Sequence, residues 1–118
     1  MIEIEKLKPL SAPYEIFEFV PCQPAYFKIT QYEIGRITIS PRFPGAPPTK
    51  EIAAVRLHVD PATKPYFPHY WDITPSRLVH QLAGLLATEL PPGMYLRIHR
   101  DIPGPRAHFS VSWAERPP

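Results

Sequence analysis

The sequence predicts a small α+β domain: a mostly antiparallel sheet with one amphipathic helix packed on one face, in the order ββββαββ. Three observations carry this. Prolines cut the chain into short periodic segments. Several of those segments alternate apolar and polar residues with the period of a strand. A single stretch near residues 75–90 repeats leucines with helical spacing and has a start and a stop signal.

The elements follow in order. Residues 2–7 alternate weakly, with Ile2 and Ile4 on one side, and suit a short edge strand. Tyr14 to Val20 is rich in aromatic and β-branched residues and reads as a strand. Tyr26 to Ser40 is a longer β-like stretch. Phe27, Ile29, Ile37 and Ile39 share one parity, and Ile34 breaks it just before Gly35. This makes Gly35 the expected hinge, either a bulge or a tight hairpin. From Glu51 to Val59, the side chains of Ala53, Val55, Leu57 and Val59 fall on one face, and Arg56 and His58 fall on the other.

The helix is expected from about Pro75 to Leu90. Thr74 suits the N-cap, Pro75 the first helical position, and Ile73 and Leu78 a hydrophobic staple. Asp72 adds negative charge near the positive end of the dipole. Pro91 and Pro92 stop the helix. Leu78, Leu82, Leu85 and Leu86 form its apolar stripe with Val79 and Leu90 beside it, while His80, Gly84 and Thr88 lie opposite.

Two strands follow. Met94, Leu96 and Ile98 share a face of the first, and Ala107, Phe109, Val111 and Trp113 share a face of the second. A register that joins the apolar sets pairs Ile98 with Phe109 and Leu96 with Val111, and sets His99 opposite His108. The reverse face then carries Tyr95, Arg97, His99, His108, Ser110 and Ser112.

Size and composition agree with one domain over residues 1–118. A chain of 118 residues, 44% hydrophobic and 20% charged, can bury a core without disulfides or metals. The lone cysteine, Cys22, forms no intramolecular disulfide, which fits a reducing, cytoplasmic setting. The N-terminus has no basic and apolar leader pattern, and no apolar run is long enough to span a membrane. The 18 prolines and the absence of asparagine fit a thermophilic source or a GC-rich genome.

No catalytic constellation is legible, no cofactor motif appears, and the chain does not read as an enzyme. Cys22 has no neighbouring base in the sequence and reads as a partly buried loop thiol. Asp60, Asp72 and Asp101 are isolated and suit turns or caps. His58, His99 and His108 fall on polar strand faces and could serve as zinc ligands only if those strands were neighbours, so no metal is expected. The richest surface feature is the run Pro65-Tyr66-Phe67-Pro68-His69-Tyr70-Trp71, just before the helix. Tyr66, Phe67, Tyr70 and Trp71 are the protein-binding candidates, because proline-stiffened aromatics lose little entropy on docking; the alternative is that they fold back over the core.

The leading expectation is therefore a non-enzymatic protein-interaction module, or a small accessory or structural subunit of a larger assembly, with a protein partner or self-association. The alternative is a small nucleic-acid-binding protein that uses Arg56, Tyr95, Arg97, His99 and His108, although the net charge of +2 forms no basic stripe.

The stretch Ile39-Ser40-Pro41-Arg42-Phe43-Pro44-Gly45-Ala46-Pro47-Pro48 and the sequence Trp71-Asp72-Ile73-Thr74-Pro75 before the leucine helix carry a resemblance. Residues 36–90 resemble the ubiquitin-conjugating-enzyme-like superfamily. The chain departs from it in having no cysteine between the proline turn and the helix, no His-Pro-Asn tripeptide, and strands at its end. The resemblance implies a catalytically inactive binding variant.

Overall fold

The computed structural model describes residues 4–40, 44–45, 48–88, 93–102 and 107–115. Six strands and one helix follow the order ββββαββ: β1 (Ala25–Phe27), β2 (Ile29–Ile39), β3 (Lys50–Val59), β4 (Tyr70–Ile73), α1 (Ser76–Thr88), β5 (Tyr95–Arg100) and β6 (Phe109–Ala114). The α+β class and the antiparallel pairing are as the sequence predicts. The strands divide between two three-stranded sheets, β2-β3-β4 and β1-β5-β6. The long stretch from Tyr26 supplies both: β1 pairs with β5, and β2, after Lys28, pairs with β3.

The main core lies between the helix and the inner faces of both sheets. Leu78, Val79, Leu82 and Leu86 of α1 meet Val55, Leu57 and Val59 of β3, Leu96 and Ile98 of β5, and Phe27 of β1. The apolar stripe read from the leucine spacing is thus the packed face, with Leu85 at its margin. The first helical bond runs from the Val79 N–H to the Pro75 carbonyl. The expected helix end at Leu90 and the Pro91-Pro92 stop lie outside the described residues.

Several expectations are corrected. Residues 4–6 form a 3₁₀ turn in place of an edge strand, and residues 2–3 lie outside the described residues. Tyr14–Val20 is not a strand: it makes a single isolated bridge, Ile16 to Asp72. The hinge is not at Gly35. The register shift falls between Ile29 and Gln31, and this extra residue reverses the facing of everything after it. Phe27, Ile29 and Ile34 therefore share the helix-side core, while Ile37 belongs to a second cluster on the opposite face. The fourth strand before the helix is β4, which begins in the aromatic run, outside the expected strands; it pairs with β3 through Leu57–Trp71 and Arg56–Asp72.

The far face of the β2-β3-β4 sheet is also covered. Residues 8–17 cross it as a strap. At one edge the Arg36 N–H donates to the Lys8 carbonyl (2.9 Å) and the Leu10 N–H to the Arg36 carbonyl (2.8 Å). At the other, the Asp72 N–H donates to the Glu15 carbonyl (2.7 Å) and the Phe17 N–H to the Asp72 carbonyl (3.0 Å). Between these anchors Leu10 packs with Ile37 and Ala54. Gly35 is what permits the crossing: a Cβ there would stand 2.5 Å from the Lys8 carbonyl oxygen and 2.7 Å from Leu10 Cγ.

The last hairpin keeps the expected facing but slides by two residues. Leu96 pairs with Trp113, Ile98 with Val111 and His99 with Ser110. Residues 103–106 lie outside the described residues.

Candidate functional site

The polar face predicted for β3 is interior at Arg56 and partly exposed at His58. Arg56 is only 2% exposed and Asp72 is fully buried. Arg56 donates from Nε to Asp72 Oδ1 (2.8 Å) and from Nη2 to Oδ2 (3.2 Å), and from Nη1 to the Ser11 hydroxyl of the strap (3.2 Å). The backbone N–H of Glu15 gives Asp72 Oδ2 a further bond at 2.9 Å. The guanidinium lies over the Tyr70 ring, 4.0 Å from its centroid. Burial works against the charge on Arg56, but the bond and the charge of Asp72 outweigh it and hold the pKa above its ordinary value. Burial likewise raises the pKa of the Tyr70 phenol, with Arg56 opposing. Arg56 is therefore withdrawn from the nucleic-acid-binding set, and Asp72 serves this pair rather than a cap.

Beside that pair the aromatic run is arranged around one lysine. A turn from Asp60 begins it, with the Thr63 N–H donating to Asp60 Oδ1 (3.0 Å) and the Lys64 N–H to the Asp60 carbonyl (3.2 Å). Lys64, 1% exposed, points back under the following loop. Its ammonium donates to the carbonyls of Pro68 (2.6 Å) and Tyr70 (3.2 Å), with Glu15 Oε1 at 3.8 Å. It also lies 4.3 Å from the Trp71 ring centroid and 4.8 Å from that of Tyr66. His69 Nδ1 closes the loop against the Lys64 carbonyl at 2.8 Å. A buried ammonium needs such a cage, because each missing partner would leave it undersolvated.

The four aromatic candidates then separate. Tyr70 and Trp71 are half-buried on β4, Tyr70 over Arg56 and Trp71 edge-on to Phe17 at 5.1 Å. Tyr66 and Phe67 stand at the loop tip, 57% and 83% exposed. Tyr66 meets Trp71 edge-on at 6.3 Å. Phe17 continues the chain of rings to Phe19 and Phe27, so the tip is braced from the core outward. Next to Trp71 opens a groove of about 230 Å³, lined by Phe17, Val20, Pro24, Tyr26 and Trp71 among others. Lys64 is the residue of this candidate site that sequence reasoning missed. Its signal was a lone cation followed by proline and aromatics, the composition of a cage.

The remaining candidates are dispersed. His58 lies on the sheet of β3, its Nε2 2.7 Å from Glu33 Oε2, while His99 is on β5 and His108 on the exposed approach to β6. Among the described residues no group of three or more His, Cys, Asp or Glu is placed to hold a metal. Tyr95, Arg97 and His99 share the outer face of β5, joined there by Tyr26, which pairs with Arg97. Cys22 is exposed rather than partly buried, and its thiol donates to the Asp101 carbonyl at 3.1 Å. No described helix is long and apolar enough to cross a membrane.

Compared with known protein families, curated proteins and solved structures, the chain matches none.

Proposed function

We propose that this chain is a non-enzymatic protein-interaction module, an accessory or structural subunit that docks a protein partner through Tyr66 and Phe67. The observation that supports this reading is Phe67, 83% exposed at the tip of a loop that a buried lysine holds from beneath. Exposing a phenylalanine forgoes roughly 2 kcal/mol of burial. Holding it in one place, on a loop with little freedom left to lose, lowers the entropic cost of association. The apolar groove beside Trp71 extends the same surface.

The test is a pull-down from the source organism, with and without nuclease, using the native chain and Y66A/F67A. Tyr66 also contacts Lys64 and Trp71, so circular dichroism on Y66A/F67A, and on F67A alone, checks that the fold is kept. A nuclease-resistant protein partner retained by the native chain and lost with the variant supports the reading. The same partners on both chains overturn it.

A second reading, nucleic-acid binding, draws support from the outer face of β1-β5-β6, where Tyr26, Tyr95, Arg97 and His99 are all partly exposed on one side. Partners that vanish with nuclease, and binding that falls steeply with salt, would favour it.

A further inference from the structure

The edge of the second sheet carries an inference independent of the aromatic loop. β6 is a terminal strand that pairs only with β5 among the described residues. Its hydrogen-bonding phase is set by the neighbouring pair: the Asp101 N–H donates to the His108 carbonyl at 3.2 Å. Antiparallel ladders alternate between bonded and non-bonded pairs. In the observed register, Ser110, Ser112 and Ala114 therefore turn their backbone groups toward β5. Phe109, Val111 and Trp113 turn theirs outward. The Cys22 N–H on the Arg100 carbonyl agrees, since Arg100, opposite Phe109, must then face away from β6.

Two of the usual protections of an edge are missing from β6 itself. The strand Phe-Ser-Val-Ser-Trp-Ala contains no charge and no proline. On its inner side lies a groove of about 530 Å³, lined by Val111 with His80, Gln81, Gly84, Leu85 and Thr88 of α1. A Cβ on Gly84 would meet nothing within 4 Å.

We infer that β6 pairs with β6 of a second copy of this chain, antiparallel about a two-fold axis at Val111, to form a homodimer with one continuous six-stranded sheet. The outward-turned residues are symmetric about Val111, so Phe109 meets the other copy's Trp113 and every free N–H finds a free carbonyl. The inner side chains of the incoming strand, Phe109, Val111 and Trp113, are apolar at period two and lie over the groove. At each end, His108 is opposite the other copy's Ala114, so no like charges meet along the pair.

The experiment is sedimentation velocity on the full chain over the micromolar range. The expected mass is twice the chain's 13.5 kDa. In the proposed register Ser110 is opposite the other copy's Ser112, so S110E/S112E sets carboxylates against carboxylates across the axis. Within one chain the same carboxylates face His99 and Arg97, which favours the folded monomer. The variant should weaken the dimer at least about tenfold. Mixing it with S110K/S112K should restore the doubled mass as a heterodimer. A native chain that stays at the single-chain mass overturns the inference, as does a dimer that survives S110E/S112E in a folded variant.

Discussion

Nε of Arg56 lies 2.8 Å from Oδ1 of Asp72 across the β3–β4 pair, with both side chains out of contact with solvent. The pair does more than neutralise itself. Asp72 also accepts the Glu15 N–H, and Arg56 reaches Ser11, so the two residues tie the strap to the sheet from both ends. R56M should therefore destabilise the fold by about 3–5 kcal/mol, because it strands the Asp72 carboxylate in the interior. R56M/D72L should cost less than R56M alone, since no unpaired charge is left. Urea unfolding of the two variants checks both expectations.

Gly35 and Gly84 make an internal contrast. A methyl group on Gly35 collides with Lys8 and Leu10, whereas one on Gly84 meets open space. G35A should cost about 1–3 kcal/mol through displacement of the strap. G84A should stabilise the chain by up to about 1 kcal/mol through helix propensity. Thermal melts of both, with amide exchange at Leu10 and Arg36 for G35A, separate strap release from general unfolding.

Lys64 is predicted to govern the loop it underlies. K64M keeps the length and apolar stem of the side chain but removes the bonds to the Pro68 and Tyr70 carbonyls. A loss of about 1–3 kcal/mol is expected from the unsatisfied groups. Amide exchange across residues 65–70 should quicken. Partner capture should weaken even though Tyr66 and Phe67 are unchanged.

Asp101 anchors the loop end of the β5–β6 hairpin. Its Oδ1 accepts the N–H groups of Ile102 and His108, both at 2.7 Å. The His108 N–H is the first cause of a pKa lowered from the ordinary carboxylate value, with burial opposing and Ile102 adding to it. A depressed folded-state pKa means that the contribution is present above the unfolded pKa and is lost as pH falls through the folded one. The Ile102 and His108 amide signals should therefore shift together in an acid titration, with a midpoint below that of an unperturbed aspartate. In D101A that titration should disappear from both amides.

Much of the fold was legible because its signals are local. The period-two pattern of Val55, Leu57 and Val59 and the leucine stripe of α1 each report which face is apolar, and those faces are the ones that pack. The hairpin's facing was readable for the same reason, but its register was not. A slide of two residues preserves every facing, so the apolar pattern does not choose between the two registers. β4 was hidden because four residues of mixed aromatic and charged type have no period, and it is their pairing with β3 that makes them a strand.

The candidate site was legible in composition and not in arrangement. Aromatic crowding singled out residues 65–71, yet nothing local says that Tyr70 and Trp71 turn in while Tyr66 and Phe67 stay out. That division follows from Lys64, whose partners lie four and six residues ahead and, through Glu15, far back along the chain. By itself the sequence determined the α+β class, the helix and its buried stripe, and the apolar faces of β3, β5 and β6. Tertiary structure alone decided that Arg56 is interior, that Gly35 is a crossing point and that Phe67 is displayed. Periodicity reports only the apolar face of a segment; burial of the opposite face depends on a second segment distant in sequence, here the strap, which no local pattern encodes.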